Sequence, residues 1–224
     1  MSFEKVKKGV VKRTQRREIG IFVDGINLDR ASRRTNKKVD FAALLKSLSG
    51  GLEPKVARYY SVIPNEDDSR QHSFFDVVYR AGFEVILKRL PPVGIERQVT
   101  TDVEMAADMI AFALGKNELS RDFSYLPDDH TRAFDSYLFS NGNQQKDDAP
   151  QKDANIDEEK QANSSVLRVV TVVTPGRDLS YPISLASFFG ADTVTADFST
   201  MATGDKMKSA AKWVDLIDSE SIWR

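Results

Sequence analysis

Four aspartates stand where a carboxylate could do chemistry. Asp24 closes the apolar run Ile19-Gly-Ile-Phe-Val and is followed by Gly25, Ile26 and Asn27. Asp178 follows a second such run, Val166–Val173, through Thr174-Pro175-Gly176-Arg177. Asp102 opens the segment Asp102-Val-Glu104-Met-Ala-Ala-Asp108-Met-Ile, and Asp108 lies deeper in it. A buried carboxylate is costly unless it is paired or meets a cation. Several together would repel one another unless a cation joined them or some stayed protonated. The chain has no cysteine and only His72 and His130, so thiolate and imidazole sites are excluded or improbable. A metal held by such residues has oxygen ligands, which favours Mg2+ or Mn2+. Ions of this kind activate water and stabilise charge developing on phosphoryl groups.

The elements that must position these acids read as alternating strands and helices. Ile19 to Asp24 is a short apolar run bounded by a turn signal, as expected of a buried parallel strand. Asp40 is a plausible cap for a helix from Phe41 to Leu48, stopped at Gly50-Gly51. Lys55–Ile63 is a second strand, residues 66–82 a helix, and Phe83–Arg89 a third strand before Pro91-Pro92. Thr100 or Thr101 can cap the helix that Asp102 and Glu104 begin. Acids there also suit a helix dipole, an ordinary reason for their presence. Asp108 sits among Ala106, Ala107, Met109 and Ile110, where a lone Asp needs a partner. Val166–Val173 is the most strand-like run, followed by a helix over 181–189, a weaker strand ending at Asp197, and a last helix over 210–217. Asp197 reads as a strand-end surface residue. The succession predicts an α/β fold with right-handed crossovers, and ligands outside the carboxyl ends of the strands.

The 224 residues are 41% hydrophobic and 29% charged, with a net charge of -1. A core can form, and a uniformly basic nucleic-acid binder is excluded, though not a local patch. Two patches exist. Residues 1–18 form a basic arm, and Arg30, Arg33, Arg34, Lys37 and Lys38 follow the first strand. Residues 19–224 read as a single domain interrupted by a polar insertion at about 116–165, an excursion that could serve a protein partner. No run is apolar enough to span a bilayer and no signal-peptide core opens the chain. A cytoplasmic protein without a membrane partner is the expectation.

Ile19-Gly-Ile-Phe-Val-Asp24-Gly-Ile-Asn27-Leu28 resembles the opening motif of NYN domains, the PIN-like nuclease group that includes LabA-like proteins. The likeness continues through Ala57–Ser61, Phe83-Glu-Val and Thr101–Asp108, and resumes over Val169–Leu179. It implies a three-layer α/β/α PIN-like sandwich around a mostly parallel sheet. The implied activity is Mg2+- or Mn2+-dependent phosphodiester cleavage, usually of RNA. By position, Asp24, Asp102 and Asp178 would be catalytic metal ligands, with Asn27 orienting Asp24 or touching a phosphate. Asp108 would support a ligand from behind. Two departures stand out. Gly176 occupies the place of the first acid in the family's Ser-Gly-Asp-x-Asp-Phe turn, with Arg177 beside it. Val99-Thr100-Thr101 replaces the usual Lys-Gly-Val before Asp102. Glu104 could substitute for the lost acid if the helix start turns it inward.

A nuclease acting on single-stranded RNA is therefore preferred, with Arg30, Arg33, Arg34, Lys37, Lys38 and Arg177 gripping the nucleic acid. The alternative is a catalytically weakened PIN-like module that binds nucleic acid or a protein. A phosphomonoesterase reading lacks a nucleophile motif, since no second aspartate follows Asp24 two residues on.

Overall fold

The computed structural model describes residues 16–64, 69–95, 98–116, 166–198, 210–217 and 221–224. Most of the basic arm (1–15) and nearly all of the insertion (117–165) lie outside the described residues. Among the described residues, six strands form one sheet: β1 (Arg16–Asp24), β2 (Val56–Ile63), β3 (Glu84–Arg89), β4 (Val166–Val173), β5 (Asp192–Asp197) and β6 (Trp213–Leu216). Their order is β3-β2-β1-β4-β5-β6, and every neighbouring pair runs parallel. The chain builds outward from β1 in one direction and from β4 in the other. β1 and β4 therefore flank the switch point where a doubly wound sheet opens a ligand crevice.

Among the described residues, five helices cover the two faces: α1 (Gly25–Thr35), α2 (Phe41–Ser49), α3 (Ser69–Arg80), α4 (Asp102–Ala113) and α5 (Ser180–Phe188). Side chains alternate along a strand, so central β1 must be apolar on both sides. Ile21 and Val23 join the core under α1, α2 and α3 with Leu28, Leu44 and Val78. Phe22 joins the core under α4 and α5 with Met105, Met109, Phe112 and Ile183. Each such large side chain contributes roughly 2–3 kcal/mol on burial. The chain is thus a three-layer α/β/α sandwich.

Three expectations change. The last helix is instead β6, which pairs with β5 from Val194↔Trp213 to Asp197↔Leu216. Its four residues complete an edge, where pairing with a neighbour outweighs any helical spacing. β1 starts at Arg16, within the stretch read as the arm, because residues 16–18 pair with Val166–Arg168. Asp197 is buried, not a surface residue, and its Oδ1 accepts from the Phe198 N–H at 3.1 Å.

Candidate metal and phosphate site

Asp24 is the last residue of β1 and the N-cap of α1. Its Oδ1 accepts from the Asn27 backbone N–H at 3.0 Å, which satisfies one of the open donors of the helix start. The Asn27 side-chain amide donates to Asp24 Oδ2 at 2.7 Å and to the Thr174 carbonyl at 3.1 Å. The Thr174 hydroxyl returns the link by donating to the Asp24 carbonyl at 3.2 Å. Thr174 takes a left-handed backbone, φ 49°, to turn the chain just after β4. Asn27 and Thr174 thereby tie the ends of β1 and β4 together, and they fix the Asp24 carboxylate between them.

Gly25 is required here. A Cβ at this position would lie 2.4 Å from Tyr59 Cζ, deep in a ring that cannot retreat. Tyr59 is buried in the core under α1, and its hydroxyl donates to the Gly25 carbonyl at 3.4 Å. The Asp-Gly step is thus set by packing as well as by the turn.

Electrostatically, Asp24 is under stress. Only 6% exposed, its carboxyl is pushed up to about 6 from 3.8, chiefly by loss of water, against backbone hydrogen bonds that lower it. The nearby charge of Asp102 raises it further, and that of Arg30 offsets part of this. Arg30 Nη1 donates to Asn27 Oδ1 at 3.1 Å. An exposed guanidinium, an amide and a buried carboxylate therefore run in series from solvent to the strand end.

Asp102 is the first residue of α4, and its backbone N–H is held by Thr100 Oγ1 at 3.1 Å. The N-cap is Thr101, whose side chain makes no capping hydrogen bond, so the expected side-chain cap is replaced by the Thr100 hydroxyl on the first N–H of the helix. Glu104 and Asp108, one turn apart, face a different way. Glu104 pairs with Lys88 of β3, whose ammonium also donates to the Thr100 carbonyl at 2.8 Å. Asp108 Oδ2 accepts from Arg58 Nη1 at 2.7 Å and from the Tyr60 hydroxyl at 2.6 Å. Arg58 Nε reaches on to Glu84 at 2.9 Å. Burial, with the adjacent Asp108 charge, pushes the Tyr60 hydroxyl well above its usual range, so it stays a donor. Asp102, two residues before Glu104, is rotated from it by roughly 200° about the axis. Glu104 is thus committed to Lys88 rather than to the place of a missing ligand, and Asp108 is bound to Arg58 and Tyr60.

Asp178 lies exposed on the short 3-10 turn Arg177–Leu179, as does Arg177. Among the described residues, no three Asp, Glu or His side chains converge closely enough to hold an ion. The place nearest Asp24 on this turn belongs to Gly176. A Cβ there would lie 3.9 Å from Asp24 Oδ2 and 3.8 Å from Asn27 Nδ2. Of the basic residues, Arg30 stands at the site, Arg33 is paired with Asp29 at 2.9 Å, and Arg34, Lys37 and Lys38 lie along and beyond the end of α1.

Residues 18–122 match the family model of the NYN domain. The chain carries an NYN domain. The matched span runs from β1 through α4, contains Asp24, Asn27 and Asp102, and supports a PIN-like nuclease family for this part of the chain. No curated protein matches the chain. A crystal structure of a protein of unknown function from Vibrio parahaemolyticus is similar over 96% of this chain and 100% of its own, with a TM-score of 0.60 at 15% identity. That likeness concerns the fold alone. Among the described residues no helix is long and apolar enough to cross a membrane.

A divalent ion suits the donors of this NYN site in part. Asp24 and Asp102 are oxygen donors of like charge, one of them deprived of water, and a cation would relieve both. Magnesium is commonly held by one or two carboxylates, with waters and substrate phosphate completing its shell. The pair offers that number of carboxylates, and no third acid converges on them among the described residues.

Proposed function

We propose that this protein is a divalent-metal-dependent nuclease that cleaves single-stranded RNA at the Asp24–Asp102 pair, in the cytoplasm. The observation that carries the reading is the buried Asp24, pushed up to about 6 at the switch point between β1 and β4, with Asp102 as its like-charged neighbour. Such stress on a carboxylate at the mouth of a crevice makes it a candidate for a functional site.

Asp24 and Asp102 would hold Mg2+ or Mn2+, which when bound supplies Lewis acidity and an activated water. Asn27 keeps Asp24 in one orientation, so its outward lone pairs are ready without rearrangement. Arg30, tethered to Asn27 Oδ1, holds a positive charge at the mouth for a phosphate. Arg177 adds a second exposed cation from the β4 side. Arg33, Arg34, Lys37 and Lys38 extend this charge along the strand's approach. Asp178 is close enough in sequence to join as a ligand if the turn carrying it closes on substrate.

Manganese-dependent cleavage of single-stranded RNA tests this reading. Cleavage is expected to vanish in Asp24→Asn, and equal activity in that variant would refute it. A second reading is favoured by Gly176, whose missing side chain leaves Asp24 one acid short. In it the domain binds nucleic acid, or a protein through residues 116–165, without turnover. No divalent ion would then give cleavage, and salt-sensitive binding would weaken when residues 1–15, which precede β1, are removed.

A further inference from the structure

Lys88 stands where helix chemistry disfavours a cation. It meets the N-terminal turn of α4, the end at which the helix dipole is already positive. On edge strand β3 it shares with Ile86 the face that turns toward α4. Its ammonium pairs with Glu104 and donates to the Thr100 carbonyl at 2.8 Å. These anchors lie two residues before and two residues after Asp102. Thr100 also holds the Asp102 N–H on its hydroxyl at 3.1 Å. One ammonium thus spans the stretch of backbone that carries the carboxylate.

Its own cap does little to fix that stretch. α1 and α2 are capped from within, by Asp24 and Asp40, whereas the N-cap of α4 makes no side-chain bond. The connection arriving from β3 is exposed at residues 92–95 and 98. Asp24, for its part, is oriented by Asn27, which is bonded in turn to the Thr174 carbonyl. The charge of Asp102 acts against that of Asp24, and two like charges left free would move apart. A tether on each keeps them near one another before an ion joins them.

We infer that Lys88 is a positioning residue of this site, setting the place of Asp102 relative to Asp24 by holding the Thr100 carbonyl. This rests on the reading of Asp24 and Asp102 as the pair that holds the metal, and it adds the residue that fixes their separation. Lys88 acts through the backbone and touches no reacting atom.

The test uses the full chain, manganese and single-stranded RNA. Lys88→Met keeps the stem of the side chain and removes the cation. At saturating manganese it is expected to lower kcat about tenfold, with KM for RNA changed less than twofold. Manganese affinity without RNA, measured by calorimetry, should fall about tenfold as well. Lys88→Arg should restore most of both. Lys88→Met combined with Glu104→Gln separates positioning from stability. Removing the carboxylate left unpaired should return the thermal midpoint toward that of the wild type, while cleavage and manganese affinity stay low because the Thr100 carbonyl is still untied. Lys212→Met breaks an ammonium–carboxylate pair with Asp192 at the opposite rim, and it should leave cleavage within twofold of the wild type. Wild-type cleavage and manganese affinity in Lys88→Met overturn the proposal, as does their full recovery in the double variant. If Lys88→Met does not fold, the double variant carries the same test. The two readings fail separately. Cleavage that is lost in Asp102→Asn but kept in Lys88→Met defeats only the positioning role, whereas cleavage that survives Asp102→Asn defeats the metal site and this role with it.

Discussion

Helix α4 carries acids on two sides, and the two sides are treated differently. Toward β2 and β3, Glu104 meets Lys88, and Asp108 meets Arg58 and Tyr60. Toward β1, the charge of Asp102 acts on another acid, Asp24, and raises its carboxyl. Burial does not separate the two sets, since the Asp108 side chain is 15% exposed and Asp24 is nearly buried too. Counter-charge does. The first set is neutralised within the protein and serves to strap the helix to the sheet. The second is offset only in part, by Arg30.

That contrast breaks most visibly at Arg58. Arg58→Met leaves Asp108 and Glu84 facing each other without their shared cation, and should cost roughly 3–5 kcal/mol in urea unfolding. A negligible loss would mean that the strap carries no strain to relieve. Next in size is a pH effect at Asp24. Its folded value near 6 lies above its unfolded value near 3.8, so between them the native state keeps a proton that the unfolded chain has lost. Stability without divalent ions should therefore fall as pH rises through this window, by up to roughly 3 kcal/mol. Unfolding midpoints compared at about pH 4 and about pH 7 should show that slope in the wild type, and much less of it in Asp24→Asn.

The comparison sharpens in catalysis. Asp102→Asn is expected to lower manganese-dependent cleavage roughly 100-fold, while Glu104→Gln, two residues away, should lower it by less than about threefold. Equal losses in the two variants would show that both sides of α4 reach the ion. The smallest effect belongs to Lys88, whose partner Glu104 is partly exposed. Lys88→Met should cost about 1 kcal/mol in the same unfolding assay, with Lys88→Arg restoring part of it.

The first five strands were legible in the sequence because they are apolar or β-branched runs that end in turn residues, and central β1 and β4 are buried on both faces over most of their length. The Asp24 and Asp102 positions followed from those ends, and the start of α4 from its threonines. α1 was not legible as a helix. Its buried side is little more than Leu28 and Ala31, and arginines and serine dominate the rest. β6 was read as a helix because an edge strand of four residues leaves little periodicity to see. The roles of Glu104 and Asp108 were hidden for another reason. Their cations come from β3 and β2, and spacing along one helix cannot report what a distant strand places opposite it. Gly176 was visible as a substitution, but only the direction of its absent Cβ shows that it opens onto Asp24.

The connection that leaves α4 and enters β4 has an architectural consequence. α4 starts at the rim where Asp24 and Asp102 lie and ends, at Ala113, at the opposite one. β4 begins at that opposite rim as well, with Val166 level with Arg16. The described chain thus leaves at Lys116 and returns at Val166 on the side of the sheet away from the carboxylates, so a tag inserted between them is expected to leave cleavage at the crevice unchanged, as an activity assay of the tagged chain would show.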